Sequence, residues 1–182
     1  KWDMENGGPV NLDKVFYINN GVDLNDFNQW KSTYILQDAD LNSNRKKIIY
    51  LGSLRLANNV MQLVKAAEGL LPHKEDAIFL IYGDGDDRGK IIEYCREHNL
   101  TNVVIKDKWV DPKYVPYILS QSYINILNYT ENFGKHGISS SKMFQYMASG
   151  KPIVCNINIY DNPIEKYKIG ISRHFESPLE YA

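Results

Sequence analysis

Cysteine is scarce in this chain, and its scarcity excludes two classes of protein. The 182 residues include only Cys95, in a predicted helix, and Cys155, after a predicted strand. Two cysteines at these positions form neither a disulfide framework nor a zinc-type ligand set. We therefore expect a reducing, cytoplasmic location and no metal site.

Long apolar runs and an excess of one charge are also missing. No run approaches the roughly 18 apolar residues of a membrane span, and no signal peptide opens the sequence. The 21 basic residues nearly balance the 22 acidic ones. Without a general basic field the chain is not expected to bind nucleic acid, so any phosphate must be held locally.

The sequence does contain enough apolar residues for one sizeable core, since 43% are hydrophobic and 12% are aromatic. Continuous apolar runs alternate with stretches of helical periodicity. The predicted strands are 47–52, 77–83, 102–106, 122–128, 152–155 and 169–172, and the predicted helices lie near 60–71, 87–98, 112–119 and 141–149. This alternation predicts an α/β fold, a Rossmann-like doubly wound parallel sheet of about six strands with helices on both faces.

The two ends of the sequence differ from this regular part. Residues 1 to about 40 combine a β-like run, Val15 to Ile18, with an Asn20-Gly21 turn and a polar stretch, which is typical of a connector. At the other end, Ser177 and Glu180 form a capping box around Pro178. We expect the sequence to be a fragment of a longer protein, cut within or just before a helix.

The common strand order 3-2-1-4-5-6 reverses between the first and fourth strands, and ligands bind at the carboxyl ends of the strands there. The loops that face this switch point are "GSLRLANN" and "NYTENFGKHGISSS". The second loop leads directly into the helix of "GISSSKMFQYMASGKP", which spans residues 137–152. A ligand site is therefore predicted between these two loops.

The start of that helix is suited to an anion such as phosphate. A helix N-terminus presents unpaired N–H groups and a partial positive charge. Gly137 permits close approach of the backbone, the hydroxyls of Ser139, Ser140 and Ser141 can donate, and Lys142 lies in the first turn, where a cation is disfavoured unless an anion is near. The alternative is that Ser140 or Ser141 is an ordinary cap and Lys142 a solvated side chain.

Other candidate residues lie in the neighbouring loops. Arg55, three residues after Gly52, could form a bidentate contact with phosphate from the opposite lip, although a lone arginine is often only surface. "GDGDDRG" does not keep the dinucleotide GxGxxG spacing, because Arg88 occupies the place of the third glycine, so a turn and a helix start are expected there. Trp109 either lies near a nucleobase or covers the sheet edge, with cover slightly favoured.

Several blocks in order resemble a known family. "YINNGVDLNDF", "IIYLGSLRLANNVMQLVKAA", "LIYGDG", "LTNVVIKDKWVDPKYVPYILSQSYINIL" and "GISSSKMFQYMASGKPIV" are similar to the nucleotide-binding C-terminal half of family 4 retaining glycosyltransferases of GT-B fold, in particular bacterial capsule and O-antigen sugar transferases. The resemblance implies that residues 1–40 end an N-terminal domain and form the interdomain connector. Residues 41–182 would be the donor-binding Rossmann-like domain, truncated at its C-terminal end.

The resemblance also implies site residues. The diphosphate would be held by the helix start and by Arg55, which would stabilise it as it departs. Gln145 stands where the family has a ribose-binding glutamate. The family's first glutamate corresponds either to Gly137, without gaps, or to Glu131, as a catalytic residue after a loop insertion. The usual arginine and lysine of the first-strand loop fall on Ser53 and Asn58. The implied substrate-binding set is Gly52, Ser53, Arg55, Gly83, Trp109, Val110, Gly137, Ile138, Ser139, Ser140, Ser141, Lys142 and Gln145.

The function implied is transfer of a sugar from a nucleotide diphosphate sugar, with a UDP-sugar favoured, to a saccharide or lipid-linked acceptor in surface polysaccharide synthesis. No cofactor is implied, and the full-length protein is expected in the cytoplasm or peripherally at the inner face of the membrane. The 182 residues alone are expected to be inactive, because the acceptor site belongs to the N-terminal half. The alternatives are a degenerate nucleotide-sugar-binding module and a GT-B epimerase, which His136 alone in the critical loop disfavours.

Overall fold

A computed structural model of the chain describes residues 12–16, 18–73, 76–131 and 140–182. Its centre is one six-stranded sheet in the order β3-β2-β1-β4-β5-β6, with every neighbouring pair parallel. The fold class and the reversal of order between the first and fourth strands are confirmed. The strands are β1 Lys46–Leu51, β2 Ala77–Tyr82, β3 Val103–Ile105, β4 Ile124–Leu127, β5 Ile153–Cys155 and β6 Gly170–Ser172.

Helices connect the strands and cover both faces of the sheet. They are α1 Leu24–Thr33, α2 Val60–Leu70, α3 Arg88–Glu97, α4 Val115–Ser120, α5 Ser141–Ala148, α6 Pro163–Lys166 and α7 Pro178–Tyr181. Short 3-10 turns occupy Leu12–Lys14, Leu56–Asn58, Leu71–His73 and Pro112–Tyr114. The turn and helix start expected after β2 are confirmed, since α3 begins at Arg88.

Alternating side chains along the strands build two separate cores. Ile49, with Leu80 from β2, packs in the core beneath α4 and α5, whereas the next residue, Tyr50, packs in the core beneath α2 and α3. All six residues of β2 are buried. Because both faces are covered, the strands read as unbroken apolar runs, which is why the sequence predicts them well.

The connector contains a helix that the sequence analysis does not predict. Asp23 caps α1 by accepting hydrogen bonds from the amides of Asn25 at 2.8 Å and Asp26 at 3.1 Å. Helix α1 packs on α4, and Tyr34 makes an edge contact with Tyr114 at 6.4 Å. The amphipathic signal was weak because the helix is largely polar, with Phe27 as its one buried residue.

The β-like run in the connector is not a strand in its described residues. Val15, Phe16 and Ile18 lie in no strand, and Phe16 and Ile18 are 81% and 88% exposed. Tyr17 lies outside the described residues. β-propensity alone is a weak guide here because a strand needs a neighbour with which to pair.

An ion cluster fixes the rest of the connector to the sheet. The Nζ of Lys106, just after β3, donates to the Asp38 carboxylate at 2.8 Å and to that of Asp40 at 2.7 Å. Leu41, between these contacts and β1, is fully buried. The approach to the first strand is therefore part of the packed domain.

The sheet opens at its centre. Strands β1 and β2 pair through six residues, but β1 and β4 pair only through Ile48 with Ile124 and Ile49 with Asn125. Beyond that point the phenol of Tyr146, on α5, accepts from the Leu51 amide at 3.0 Å and donates to the Leu51 carbonyl at 3.2 Å. A buried side chain thus takes the place of a strand partner, and a crevice forms at the switch point.

The C-terminal cap predicted at Ser177 is confirmed and begins a four-residue helix. The Ser177 hydroxyl accepts from the Glu180 amide at 3.1 Å. Tyr181 of this helix donates to Asn128 at 2.7 Å, so α7 is joined to the end of β4. Among the helices of the described residues, none is long and apolar enough to cross a membrane.

Candidate functional site

The crevice at the switch point contains the ammonium of Lys142. Lys142 lies in the first turn of α5, and its side chain extends to the end of β1. Its Nζ lies 3.3 Å from the Tyr50 hydroxyl and 3.4 Å from Oδ1 of Asn58. A Cβ on Gly52 would lie 2.9 Å from the same Nζ, so the lysine rests directly on the backbone of the first-strand loop.

The surroundings of this ammonium are polar or aromatic but uncharged. It lies over the rings of Tyr50 and Tyr129, at 4.9 Å and 5.3 Å from their centroids. Within the described part of the chain it makes no ion pair with a carboxylate. Burial lowers the pKa of Lys142 to about 8, because the charged form is poorly solvated there. A partly dehydrated cation without a counter-ion is a ready binding partner for an anion.

The start of α5 also has polar groups without a side-chain partner among the described residues. Ser140 is the N-cap residue, but its hydroxyl caps none of the helix amides. Among the described residues, no side chain thus caps the first amides of α5. The simpler interpretation of the motif, an ordinary serine cap with a solvated Lys142, is therefore wrong on both points. Ser141 is exposed beside the crevice.

Two glycines let the loops after β1 and β2 meet at the base of the site. Gly83 has φ +134°, and a Cβ at this position would lie 1.9 Å from the Gly52 carbonyl oxygen. The Gly52 amide in turn donates to the Tyr82 carbonyl at 3.0 Å. No other residue type fits at position 83, so Gly83 supports the loop on which Lys142 rests.

Buried asparagines hold the same loop from the other side. The Asn58 amide donates to the carbonyl and to the hydroxyl of Ser53, both at 2.8 Å. The Asn128 amide donates to the carbonyls of Asn58 and Asn59 at 3.1 Å and 2.6 Å, while its Oδ1 accepts from Tyr181. The position of Oδ1 of Asn58 beside Lys142 is fixed by this network.

The other basic candidate lies in the loop after β1. Arg55 precedes the 3-10 turn Leu56–Asn58 and is exposed. Within the part of the chain that the structure describes, its guanidinium has no hydrogen-bond or salt-bridge partner. It is therefore an exposed cation without a partner among the described residues, in the loop after β1.

Gln145 lies one turn beyond Lys142 on the same helix and lines a cavity of about 240 Å³. The other walls are the start of α1 and the start of α4, at the end of the sheet where the crevice opens. The side-chain amide of Gln145 makes no hydrogen bond to a described residue. Among the residues that line the cavity, Gln145 is the one contributed by α5, three positions after Lys142.

The remaining candidates occupy the periphery. Trp109 is 72% exposed, so it does not cover the sheet edge, and that expectation is wrong. Val110 is half-buried against the core beneath α4 and α5. Glu131 is exposed and pairs with His174 at 3.0 Å. Gly137, Ile138 and Ser139 lie outside the described residues, as does His136.

Sequence reasoning missed several residues that build this site. Tyr50 and Tyr129 form the aromatic walls around the ammonium, and Asn128 holds the loop beneath it. Each lies at or near the end of a strand, which is where such residues could have been sought. The described residues contain no group of three His, Cys, Asp or Glu side chains placed to hold a metal ion.

A parallel six-stranded sheet whose strand order reverses at its centre, with helices on both faces, defines a class of fold, the Rossmann-like half of a GT-B structure. The sequence then gives the family. Residues 33–171 match the family model for glycosyl transferases group 1, and the chain belongs to this family. No curated protein matches the chain in a sequence search.

Solved structures of glycosyltransferases share the fold. A glycosyltransferase from Rickettsia africae matches with a TM-score of 0.70 and 18% identity, over 100% of this chain and 48% of its own. S. aureus TarM, solved with UDP, matches with 0.68 and 17%, over 97% of this chain and 32% of its own. The C-terminal domain of LpcC from Francisella tularensis matches with 0.59 and 17%, over 89% of this chain and 84% of its own. The chain thus spans at most about half of the first two.

Proposed function

We propose that this chain is the donor-binding half of a retaining, family 4 glycosyltransferase, which transfers a sugar from a nucleotide diphosphate sugar. The observation that carries the proposal is the ammonium of Lys142, held without a carboxylate partner among the described residues, between the first-strand loop and the start of α5. A diphosphate would supply the missing negative charge. The complex of TarM with UDP supports a uridine nucleotide as the donor.

The chemistry follows from where the charges lie. As the glycosidic bond to the diphosphate breaks, negative charge grows on the departing phosphate. Lys142 and the uncapped amides of α5 would stabilise that charge from one side, and Arg55 from the opposite lip. The resemblance places a basic residue at position 58, where this chain has Asn58. Because Lys142 donates to Asn58, we infer that α5 provides the ammonium that this loop lacks.

The rest of the enzyme is part of the same proposal. Residues 1–40 would end an N-terminal domain and form the connector, and residues 41–182 would be the donor domain. The N-terminal domain would complete the cleft and bind a saccharide or lipid-linked acceptor. The full-length enzyme would act in bacterial surface polysaccharide synthesis, in the cytoplasm or at the inner face of the membrane. The 182 residues alone should transfer no sugar, and measurable transfer by them would contradict the two-domain arrangement.

Titration calorimetry of the chain with UDP, GDP and ADP tests the donor site. We expect at least one of the three nucleotides to bind with a dissociation constant in the micromolar to millimolar range. If the protein recognises the base, the affinities for the three nucleotides should differ. Absence of binding by all three at millimolar concentration would rule out the donor-site assignment.

Replacing Arg55 by alanine should weaken the binding of the preferred nucleoside diphosphate by about 1.5 to 3 kcal/mol, because a charge-assisted contact to phosphate is lost. The measurement is the dissociation constant by calorimetry. Arg96→Ala is the matched control, since Arg96 is an exposed arginine on α3 whose ion pair among the described residues is with Glu93 at 3.2 Å. Equal affinities for Arg55→Ala and the wild type would remove Arg55 from the site.

The affinity for UDP should fall as the pH rises. The pKa of Lys142 in the free protein is about 8, so the ammonium that attracts the diphosphate is lost above that pH. We expect a roughly tenfold loss of affinity between about pH 7 and about pH 9, a range in which the charge of the terminal phosphate changes little, because its second pKa is about 6. Burial raises the pKa of Tyr129 to about 12 and of Cys155 to about 11, so neither neighbour titrates in this window.

A variant gives the control for this pH profile. Lys142→Arg keeps a positive charge over the whole range because a guanidinium does not deprotonate. Its affinity for UDP should be independent of pH over the same interval. A wild-type profile that matches that of Lys142→Arg would show that Lys142 does not meet the diphosphate.

Gln145 favours a second candidate, a nucleotide-sugar-binding module that has lost catalysis. A neutral amide replaces the carboxylate that the resemblance places at this position, and an amide contributes less per hydrogen bond. The full-length protein distinguishes the two candidates, since a degenerate module would bind UDP but would neither transfer nor hydrolyse a UDP-sugar.

A further inference from the structure

The amino ends of four neighbouring strands carry a row of lysines, at the edge of the sheet opposite the crevice. In this part of the sheet Ile48 pairs with Ile124. Ile153 of β5 pairs with Asn125 on one side and with Gly170 on the other. When this register is extended one or two residues toward the amino ends, it aligns four residues, which we call the basic row: Lys47, Tyr123, Lys151 and Lys168.

The lysines of the basic row have no carboxylate partner in the described ranges. The Nζ of Lys47 donates to the Ser43 carbonyl at 2.8 Å, which leaves its charge uncompensated. Burial and then the charge of Lys151 lower the pKa of Lys47. Two ammonium groups are therefore held near one another, and the ammonium of Lys168 is added at the exposed end of the row.

The positive charge is confined to this part of the edge. Arg45, just before β1, is engaged by Asp76, whose carboxylate accepts from its Nε at 3.3 Å. The Tyr123 amide donates to the Lys47 carbonyl at 2.7 Å, so the start of β4 lies directly beside the start of β1. The uncompensated cations thus follow the starts of β1, β5 and β6, with a tyrosine at the start of β4 between them.

Exposed tyrosines accompany these lysines. Tyr123 is 55% exposed, and the Nζ of Lys46 lies 5.6 Å from the centroid of its ring. Tyr167, which precedes Lys168, is 58% exposed, and the Nζ of Lys166 lies 5.5 Å from its ring. Tyrosine rings are favoured at the level of lipid headgroups, and lysines near a bilayer are attracted to anionic lipids. The surface therefore combines the two side-chain types that suit the face of a membrane.

The type of cation also favours a diffuse negative surface. An ammonium acts as a point charge, whereas recognition of individual phosphate groups typically uses the planar fork of arginine. All the cations of the basic row and of its two tyrosine contacts are lysines. A bilayer with anionic headgroups presents many weakly localised charges, which several lysines can meet without a defined geometry.

We propose that the basic row, together with Lys46, Lys166 and Tyr167, docks this chain on a lipid bilayer that contains anionic headgroups. The row lies at the amino ends of the strands and the crevice lies at their carboxyl ends. The crevice therefore stays open to a ligand while the row faces the bilayer. The inference is independent of the proposed function, since it uses none of the residues assigned to the diphosphate.

Sedimentation with lipid vesicles tests the docking. The chain should bind vesicles of phosphatidylcholine with about 30% phosphatidylglycerol and should not bind vesicles of phosphatidylcholine alone. Raising sodium chloride from about 50 mM to about 500 mM should release it, because salt screens exposed charges. Lys151→Gln with Lys168→Gln should weaken the binding to anionic vesicles about thirtyfold.

The matched control is Lys65→Gln with Lys90→Gln, which removes the same charge from exposed positions on α2 and α3. This variant should bind anionic vesicles within about twofold of the wild type. Both double variants should keep the wild-type melting temperature and affinity for UDP. Equal losses of vesicle binding in the two double variants would show an effect of net charge alone and would overturn the role of the row.

Tyr123→Ser tests the aromatic part. It should weaken binding to anionic vesicles about fivefold, because its ring no longer enters the headgroup layer. Binding to heparin, a soluble polyanion, with no binding to anionic vesicles would assign the row to another class of partner and overturn the proposal. Vesicle binding that the lysine changes leave unaltered would overturn it as well. A chain that binds anionic vesicles through the row but binds no nucleotide would refute the proposed function and leave this inference standing.

Discussion

Replacing Lys142 by methionine is expected to weaken UDP binding by about fiftyfold and, at the same time, to stabilise the fold. The loss of affinity corresponds to one charge-assisted contact, about 2 kcal/mol. The gain in the free energy of unfolding, about 1 kcal/mol, arises because a dehydrated cation is replaced by an apolar chain of similar length. Calorimetry measures the first effect and urea unfolding at neutral pH measures the second.

The sign of the stability effect follows from the pKa. Lys142 binds its proton less tightly in the folded chain, with a pKa of about 8 against 10.5 for a free lysine. The charged form therefore opposes folding at neutral pH, and this cost disappears as the pH rises from about 8 toward 10.5. A more stable variant that no longer binds UDP would indicate a site whose charge serves binding.

The matched control is Lys90→Met. The Lys90 side chain is 78% exposed on α3 and lies 3.6 Å from Asp87. Neither affinity nor stability should change by more than about 0.5 kcal/mol in this variant. A Lys142→Met protein that is less stable than the wild type, or that binds UDP as well, would contradict the interpretation of the crevice.

Replacing Gly83 by alanine is expected to lower the free energy of unfolding by about 3 kcal/mol, a large effect for one added methyl group. At φ +134° a side chain strains the backbone, and the added Cβ would lie 1.9 Å from the Gly52 carbonyl oxygen. Backbone on both sides leaves no flexible group to move aside. We expect a melting temperature about 10 °C lower, measured by circular dichroism.

Gly89→Ala is the control for this prediction because Gly89 lies nearby in sequence but in open space. No atom lies within 4 Å of a Cβ built there, and the residue is inside α3. Alanine favours helix over glycine, so the melting temperature should rise slightly. The folded fraction of Gly83→Ala should also bind UDP more weakly, since any shift of Gly52 displaces the surface on which Lys142 rests. Equal melting temperatures for Gly83→Ala and the wild type would show that the loop relaxes freely.

The sheet could be predicted because the residue patterns that define its strands and helices are local in the sequence. Six continuous apolar runs, the first four of them followed by helical periodicity, predict a doubly wound fold, and the strand order then follows a general rule. Arg55 and the start of α5 were also predicted to face the crevice from their positions after strands, and Lys142 of α5 does extend to Tyr50 and Asn58 at the end of β1. Helix α1 was missed because its one buried residue, Phe27, gives almost no amphipathic signal.

The details of the site depend on contacts between distant residues, which no local pattern encodes. Lys142 meets Tyr50 across 92 positions of sequence and Asn58 across 84. The same holds for the cavity, where residues of the connector face Gln145 from the other end of the chain. Trp109 shows the converse limit, because this aromatic residue after a strand was expected to cover the sheet edge in preference to lying near a nucleobase, and its side chain is instead exposed.

The phenol of Tyr146 between β1 and β4 makes one backbone amide an internal reporter. The Leu51 N–H is bonded to a side chain of α5 and not to a neighbouring strand. Its exchange with deuterium therefore requires α5 to move away, whereas exchange of the β2 amides requires the sheet to open. If adding UDP slows exchange of the Leu51 amide more than exchange at other strand ends, α5 docks on the nucleotide. A single backbone amide would then report nucleotide binding.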